Sequence, residues 1–149
     1  MNSESKYNIG RIYFAIFGLI VLAFGVAELL LGITGRSFEW GLLEMSGEFL
    51  LWQGIILFSA GAFYLSSFKN FSDIHQQAKV VMASVMIWTV AGMQIFGMIL
   101  ESIPGGEDGG WFNTAEGFLE AYAGPYIPEL FLLPFSLVVI YYIRLNRRK

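Results

Sequence analysis

Four long apolar segments constrain the fold of this chain more than any other feature. They run over residues 12–33, 49–68, 80–100 and 126–143. Each has about 18–22 residues, which is enough to cross a hydrocarbon core of about 30 Å as a helix. In lipid such a segment has to be helical, because only a helix pairs all of its own backbone groups. The sequence therefore predicts an all-α fold: a four-helix transmembrane bundle, with residues 1–149 forming a single membrane domain.

The overall composition agrees with this prediction. Hydrophobic residues make up 56% of the chain and charged residues 14%, against about 45–50% and about 25% in soluble domains. A water-soluble fold of this length could not cover so much apolar surface, so lipid must cover part of it. The first segment is too long for the apolar part of a signal peptide and has no A-x-A-like cleavage site after it. We therefore interpret it as a membrane span.

Basic residues are concentrated in the N-terminal tail, the connection between the second and third segments, and the C-terminal tail. An even number of spans places these three parts on one side, which the positive-inside rule assigns to the cytoplasm. The sequence therefore predicts a multi-pass protein of the cell membrane with cytoplasmic termini and an acidic outer face. The predicted cytoplasmic side carries Lys6, Arg11, Lys69, Lys79, Arg144, Arg147, Arg148 and Lys149; the outer side carries Arg36 and the acids Glu39, Glu44, Glu48, Glu101, Glu107, Asp108, Glu116, Glu120 and Glu129.

The two predicted outer connections contain aromatic and acidic residues in mixed order. Residues 34–48 surround Trp40, a typical interfacial anchor, and we expect a short amphipathic turn or helix on the membrane surface. In the longer connection, Asn113 and Glu116 resemble a capping box and predict a short helix over residues 114–122. Its aromatic side chains are expected to face a partner. These are Trp111, Phe112, Phe118 and Tyr122.

Two local signals concern the third and fourth segments. Ser72 is the expected N-cap of the third helix, which would then begin before it enters lipid. Pro134 lies near the middle of the fourth segment and cannot donate a backbone hydrogen bond. We therefore expect a kink there.

Glycines recur at helical spacing in the first two segments. Three of them are seven residues apart in the first segment, which is about two helical turns, and therefore lie on one stripe. Small residues allow helix backbones to approach closely in a membrane. We predict that these glycines pack helices together, either within the bundle or against another subunit. They are Gly18, Gly25 and Gly32, with Gly54 and Gly61 in the second segment.

Glu28 lies on the same stripe and is the most informative single residue. An ionisable group within a span is costly and is a functional candidate by default. Other polar residues lie in the same outer half of the predicted bundle, and this asymmetry predicts a polar ligand-binding site open to the outside. The alternative is that Gln53 and Gln94 only connect helices, with Glu28 as a structural acid hydrogen-bonded to them. The candidate site comprises Glu28, Gln53, Gln94, Glu101 and Glu129.

Several kinds of chemistry have no support in the sequence. The chain has no cysteine and one histidine, His75, which excludes disulfides, thiolate nucleophiles and a bis-histidine haem within it. We find no metal-ligand spacing, no phosphate-binding glycine loop and no catalytic constellation. The sequence predicts no catalytic residue, metal or cofactor, and no nucleic-acid partner.

Two functions remain open from the sequence. The first is a non-catalytic small subunit of a larger membrane complex, packing through its glycine-rich faces and its acidic-aromatic outer loop against other subunits or copies of itself. The second is a binding or transport protein for a small molecule, a lipid, a quinone or an ion, using the polar site around Glu28. An independent enzyme is a third and weaker hypothesis.

Overall fold

The computed structural model describes residues 3–69, 71–103 and 113–147. The chain is mostly helical, with one small hairpin between the first two helices. In chain order its elements are α1 (Ser3–Thr34), β1 (Phe38–Trp40), β2 (Leu43–Met45), α2 (Leu50–Ser66), α3 (Ile74–Ser102), α4 (Ala115–Glu120), α5 (Pro128–Ser136) and α6 (Val138–Arg147).

Three helical stretches are long and apolar enough to cross a membrane. They are Tyr7–Thr34, Ile74–Ser102 and Pro128–Leu145, and the last of these joins α5 and α6. Helix α2 is also apolar but has 17 residues. The chain is therefore compatible with a multi-pass membrane protein, as the apolar segments predicted.

Helix α3 begins one residue later than its sequence signal suggested. The expected cap, Ser72, is replaced in that role by Asp73, whose Oδ1 accepts a hydrogen bond from the backbone N–H of His75 at 3.1 Å. Both residue types are good caps, and the extended backbone of Asp73 decides between them.

The fourth apolar segment is broken where Pro134 predicted a kink. Helix α5 ends at Ser136 and α6 begins at Val138. Pro134 has no N–H to continue the helical ladder, which weakens this turn. The hydroxyl of Tyr13 in α1 donates to the backbone carbonyl of Phe135 at 2.9 Å and holds the broken turn against the first helix.

The first connection forms a hairpin, where the sequence predicted an amphipathic turn or helix. Strands β1 and β2 are antiparallel, with Trp40 opposite Leu43, and Gly41 has a φ of +62° in the turn. The outer edge of β2 is paired as well, because the N–H of Glu44 donates to the carbonyl of Tyr126 at 2.9 Å. That long-range pairing favours strand over helix and is invisible in the local pattern.

The second connection contains the short helix α4, again with a different cap from the expected one. The hydroxyl of Thr114 accepts the N–H of Gly117 at 3.1 Å, whereas Asn113 was the predicted cap. The side chain of Asn113 instead accepts the N–H of Thr114. The predicted partner-facing residues Trp111 and Phe112 lie outside the described residues.

An aromatic cluster marks the end of the molecule at which α1 begins and α6 ends. Phe14 stacks on Tyr64 and Phe71 at centroid distances of 5.6 and 5.5 Å, and Phe71 meets Tyr142 edge-on at 5.3 Å. We call this the terminal end. The hairpin, joined to the segment before α5, marks the opposite or loop end.

Candidate functional site

Close backbone contact between α1 and α2 positions the candidate site. A Cβ atom at Gly25 would lie 2.4 Å from the backbone nitrogen of Phe58, and one at Gly54 would lie 2.7 Å from that of Leu29. Each contact needs a glycine, because a methyl group there would overlap the facing backbone. The structure places all five predicted packing glycines at this interface, namely Gly18, Gly25, Gly32, Gly54 and Gly61.

Glu28 lies in this interface region and is completely buried, with 0% of its surface exposed. Glu129, in the first turn of α5, is also completely buried. Helices α1 and α5 are in contact, and the charge of Glu129 acts on the carboxyl group of Glu28. None of their four oxygens has a hydrogen-bond partner in another described residue. We call these two residues the acid pair.

The two glutamines of the predicted site do not bond to Glu28. The Oε1 atom of Gln94 accepts the backbone N–H of Ile127 at 3.3 Å. The Oε1 atom of Gln53 is buried and has no hydrogen-bond partner among the described residues. The expectation that these amides donate to Glu28 is therefore wrong, because neither carboxylate oxygen of Glu28 has a hydrogen-bond partner in another described residue.

Gln53 and Gln94 instead share a groove of about 300 Å³ between α2 and α3, which we call the amide groove. Its other walls are apolar or aromatic. They are Phe49, Trp52, Ile56, Val90, Met93 and Ile127.

A second cavity, of about 470 Å³, lies at the loop end and also contains Gln94 in its wall. Glu101 and Glu120 line it, and both side chains are exposed. Glu101 therefore faces this loop-end cavity, and it does not line the amide groove. The five predicted site residues therefore lie in three places: Glu28 and Glu129 form the acid pair, Gln53 lines the amide groove and Glu101 lines the loop-end cavity. Gln94 lines both the groove and the cavity.

Asp73, the N-cap of α3, and His75, in the first turn of that helix, are two further titratable residues. The N–H of His75 donates to the Asp73 carboxylate and lowers the pKa of that group below its usual value of 3.8. The imidazole Nδ1 of His75 lies 3.3 Å from the same oxygen. Within the described ranges, no group of three His, Cys, Asp or Glu side chains is placed to hold a metal ion.

The two described aromatic residues of the predicted partner surface differ in exposure. Phe118 is 46% exposed. Tyr122 is half-buried, its ring contacts that of Phe118, and its hydroxyl lies 3.2 Å from that of Ser102. Leu119 is 69% exposed on the same short helix.

Two hydrogen bonds between helices were missed from the sequence. The indole N–H of Trp88 donates to Ser136 at 2.6 Å, and the hydroxyls of Tyr64 and Ser84 are 2.7 Å apart. The only signal was a small hydroxyl in the middle of an apolar helix, which does not reveal its partner.

The chain matches no protein-family model, and no curated protein or solved structure shows significant similarity to it. The class of protein that its features define is a helical protein with three membrane-length apolar helices and two completely buried glutamates. The amide groove and the acid pair are the parts of the described structure whose chemistry indicates a function.

Proposed function

We propose that this chain is a four-helix membrane bundle that binds a small lipid-soluble molecule in the amide groove. In this proposal α2 is the remaining span. Its 17 residues reach about 26 Å at about 1.5 Å per residue, and modest local thinning of the bilayer accommodates the difference. The bases near the terminal end support cytoplasmic termini, so the groove lies in the outer leaflet.

The observation that carries this proposal is the combination of apolar walls and two amides in one groove. Phe49, Trp52 and Met93 are 71%, 64% and 71% exposed. In a bilayer, side chains this exposed on apolar helices face lipid, so a molecule would enter from the side. The volume of about 300 Å³ is at the lower end of the range for ligand sites. It suits a single ring or a headgroup whose apolar tail stays in the bilayer.

The amides define the chemistry of the expected ligand. The oxygen of Gln94 is already bonded to Ile127, so its NH₂ group remains as a donor. Donors in the wall of an apolar groove select a molecule with acceptor oxygens on an apolar body. Quinones and lipid headgroups share this chemistry.

Binding is best tested on the purified chain in nanodiscs with two probes, a short-tailed quinone and a photoreactive phospholipid. We expect saturable binding or cross-linking of one probe to residues of the groove. Filling the groove with Ile56→Trp should reduce this at least tenfold, and Gln53→Leu should reduce it less. The matched control is Ile55→Trp, since Ile55 is exposed on the same helix outside the groove. Equal binding in all variants would refute the proposal.

A role as an accessory subunit is the second candidate, and a different observation favours it. Phe118 and Leu119 expose apolar surface on α4, beyond the ends of the spans. In addition, Gly92 and Gly97 of α3 have open space where a Cβ would lie, so a partner helix could approach there closely. The predicted glycine-rich faces of α1 and α2 are used within the chain, which leaves α3 for such a partner.

Purification in gentle detergent at native expression tests this second candidate. We expect a stoichiometric membrane partner that is lost in a Phe118→Ser/Leu119→Ser double variant. A Glu116→Gln variant on the same helix is the control. Recovery of the chain alone, at its own mass, would contradict the accessory role.

A further inference from the structure

Burying the two carboxylates of the acid pair costs free energy when both are ionised, and the residues of the amide groove do not offset that cost. Glu28 and Glu129 belong to different helices, are completely buried and have no hydrogen-bond partner in another described residue. Neither side chain lines the amide groove or the loop-end cavity. Two adjacent carboxylates in such a site repel each other, and each is deprived of water.

Among the described elements packed near the acid pair, none places a positively charged side chain beside it. Helix α2 contains no charged residue. On α1, Arg11 lies 17 residues before Glu28, and the next base after Glu129 is Arg144 of α6, 15 residues further on. Along a helix each separation is more than about 20 Å.

The charged and titratable groups at the loop end do not neutralise the pair either. Arg36 follows the end of α1 and is exposed. Glu44 of β2 accepts a hydrogen bond from Ser46, and Tyr126 donates to the carbonyl of Tyr122. On α3 the titratable groups lie near the two ends of the helix: His75 and Lys79 in the first turns and Glu101 in the last. Helix α4 carries Glu116 and Glu120, and both are exposed.

We propose that Glu28 and Glu129 form a proton-binding site in which the two carboxyl groups share one proton. The proton comes from a hydronium ion of the solvent at the loop end, which is left as water, and it forms an O–H bond on one carboxyl group. That O–H then donates a hydrogen bond to the other carboxyl group, which remains the acceptor. Two of the four unpartnered oxygens are satisfied in this way, and one negative charge is removed.

A proton fits this site better than a solute or a metal ion. A bound organic molecule needs a cavity, and the pair lies outside both of the cavities beside it. A metal ion needs several oxygen ligands, and the described residues contain no group of three His, Cys, Asp or Glu placed to hold one. A proton needs no additional volume.

Proton binding at this site links the first and the last membrane helix. With the proton bound, a hydrogen bond joins α1 to α5; without it, two charges push these helices apart. Glu129 is two residues after Ile127, whose N–H bonds to Gln94 in the amide groove. This inference goes beyond ligand binding in the groove, and either can fail without the other.

The first test is the pH dependence of thermal unfolding in detergent micelles between about pH 5 and about pH 9. The stabilising hydrogen bond exists when the proton is bound, so stability should fall as pH rises. In the Glu28→Gln/Glu129→Gln double variant the amides imitate the neutral pair, and the unfolding temperature should lose most of this dependence. Glu116→Gln is the matched control and should behave as the wild type does.

Infrared spectroscopy of the wild-type protein keeps the proposal testable even if the double variant does not fold. Labelling with ¹³C-glutamate should identify a protonated carboxyl stretch at neutral pH that disappears at high pH. Absence of this band overturns the proposal, as does a double variant that retains the wild-type pH dependence. Stabilisation by sodium at constant pH, without the band, would assign the site to an alkali cation and overturn it as well.

Discussion

Replacement of Gly25 by alanine tests the packing of α1 against α2 most directly. The added methyl group would lie 2.4 Å from the nitrogen of Phe58 and 2.8 Å from both the Cα of Phe58 and the carbonyl carbon of Leu57. All three are backbone atoms, so no side chain can rotate away. An ordinary carbon contact is about 3.5–4.0 Å, and the two helices must therefore separate by roughly 1 Å.

The magnitude follows from two opposing effects. Forcing extra volume into a packed interface costs about 1–3 kcal/mol. Alanine also favours the helix over glycine by up to about 1 kcal/mol. Gly92 of α3 supplies the matched control, because nothing lies within 4 Å of its added Cβ. Since the helix preference is common to both variants, their difference isolates the cost of overpacking, about 1–3 kcal/mol.

The measurement is reversible unfolding of the purified chain in mixed micelles, by titration with a denaturing detergent. We expect Gly25→Ala to unfold at a lower detergent fraction than the wild type, and Gly92→Ala to unfold at the same or a higher fraction. If the two variants have equal stability, the backbone contact between α1 and α2 is not as close as described. The position of Glu28 in that interface would then be wrong as well.

Three further predictions concern other parts of the chain. Trp88→Phe should lower the free energy of unfolding by about 0.6 kcal/mol, the average for interhelical hydrogen bonds in membranes. In a double-mutant cycle Ser136→Ala should add little to this loss, and additive losses would mean that the two side chains are not bonded. The cap provided by Asp73 should contribute stability above about pH 4, and this contribution should be lost as the pH falls through the lowered pKa of that carboxyl group. Unfolding of Asp73→Asn, followed by circular dichroism, should therefore show a weaker acid dependence than unfolding of the wild type. A reporter active only in the cytoplasm should function when fused at Lys149 and fail when inserted in the segment 105–110; the reverse pattern would invert the proposed topology.

Hydropathy alone was sufficient for the coarse architecture. The first, third and fourth apolar segments each correspond to a helical stretch long and apolar enough to span a membrane, because helix formation in lipid depends on composition summed over about 20 neighbouring residues. The break near Pro134 was also predictable, since the missing N–H is a property of the residue itself. Helix caps were less predictable: Ser72 and Asn113 were each displaced by the next residue, because neighbouring polar residues can cap equally well and the local backbone decides between them.

Only the tertiary structure decided which polar groups meet. The sequence placed Glu28 and Glu129 in the same half of the molecule but assigned Glu28 two amide partners that it does not have. The hairpin likewise depends on the pairing of Glu44 with Tyr126, more than 80 residues away. Periodicity fixes the face and the depth of a residue on its own helix. The partner of that residue depends on the rotation and separation of another helix, and these are set by contacts such as the one between Gly25 and Phe58, which involve residues distant in sequence.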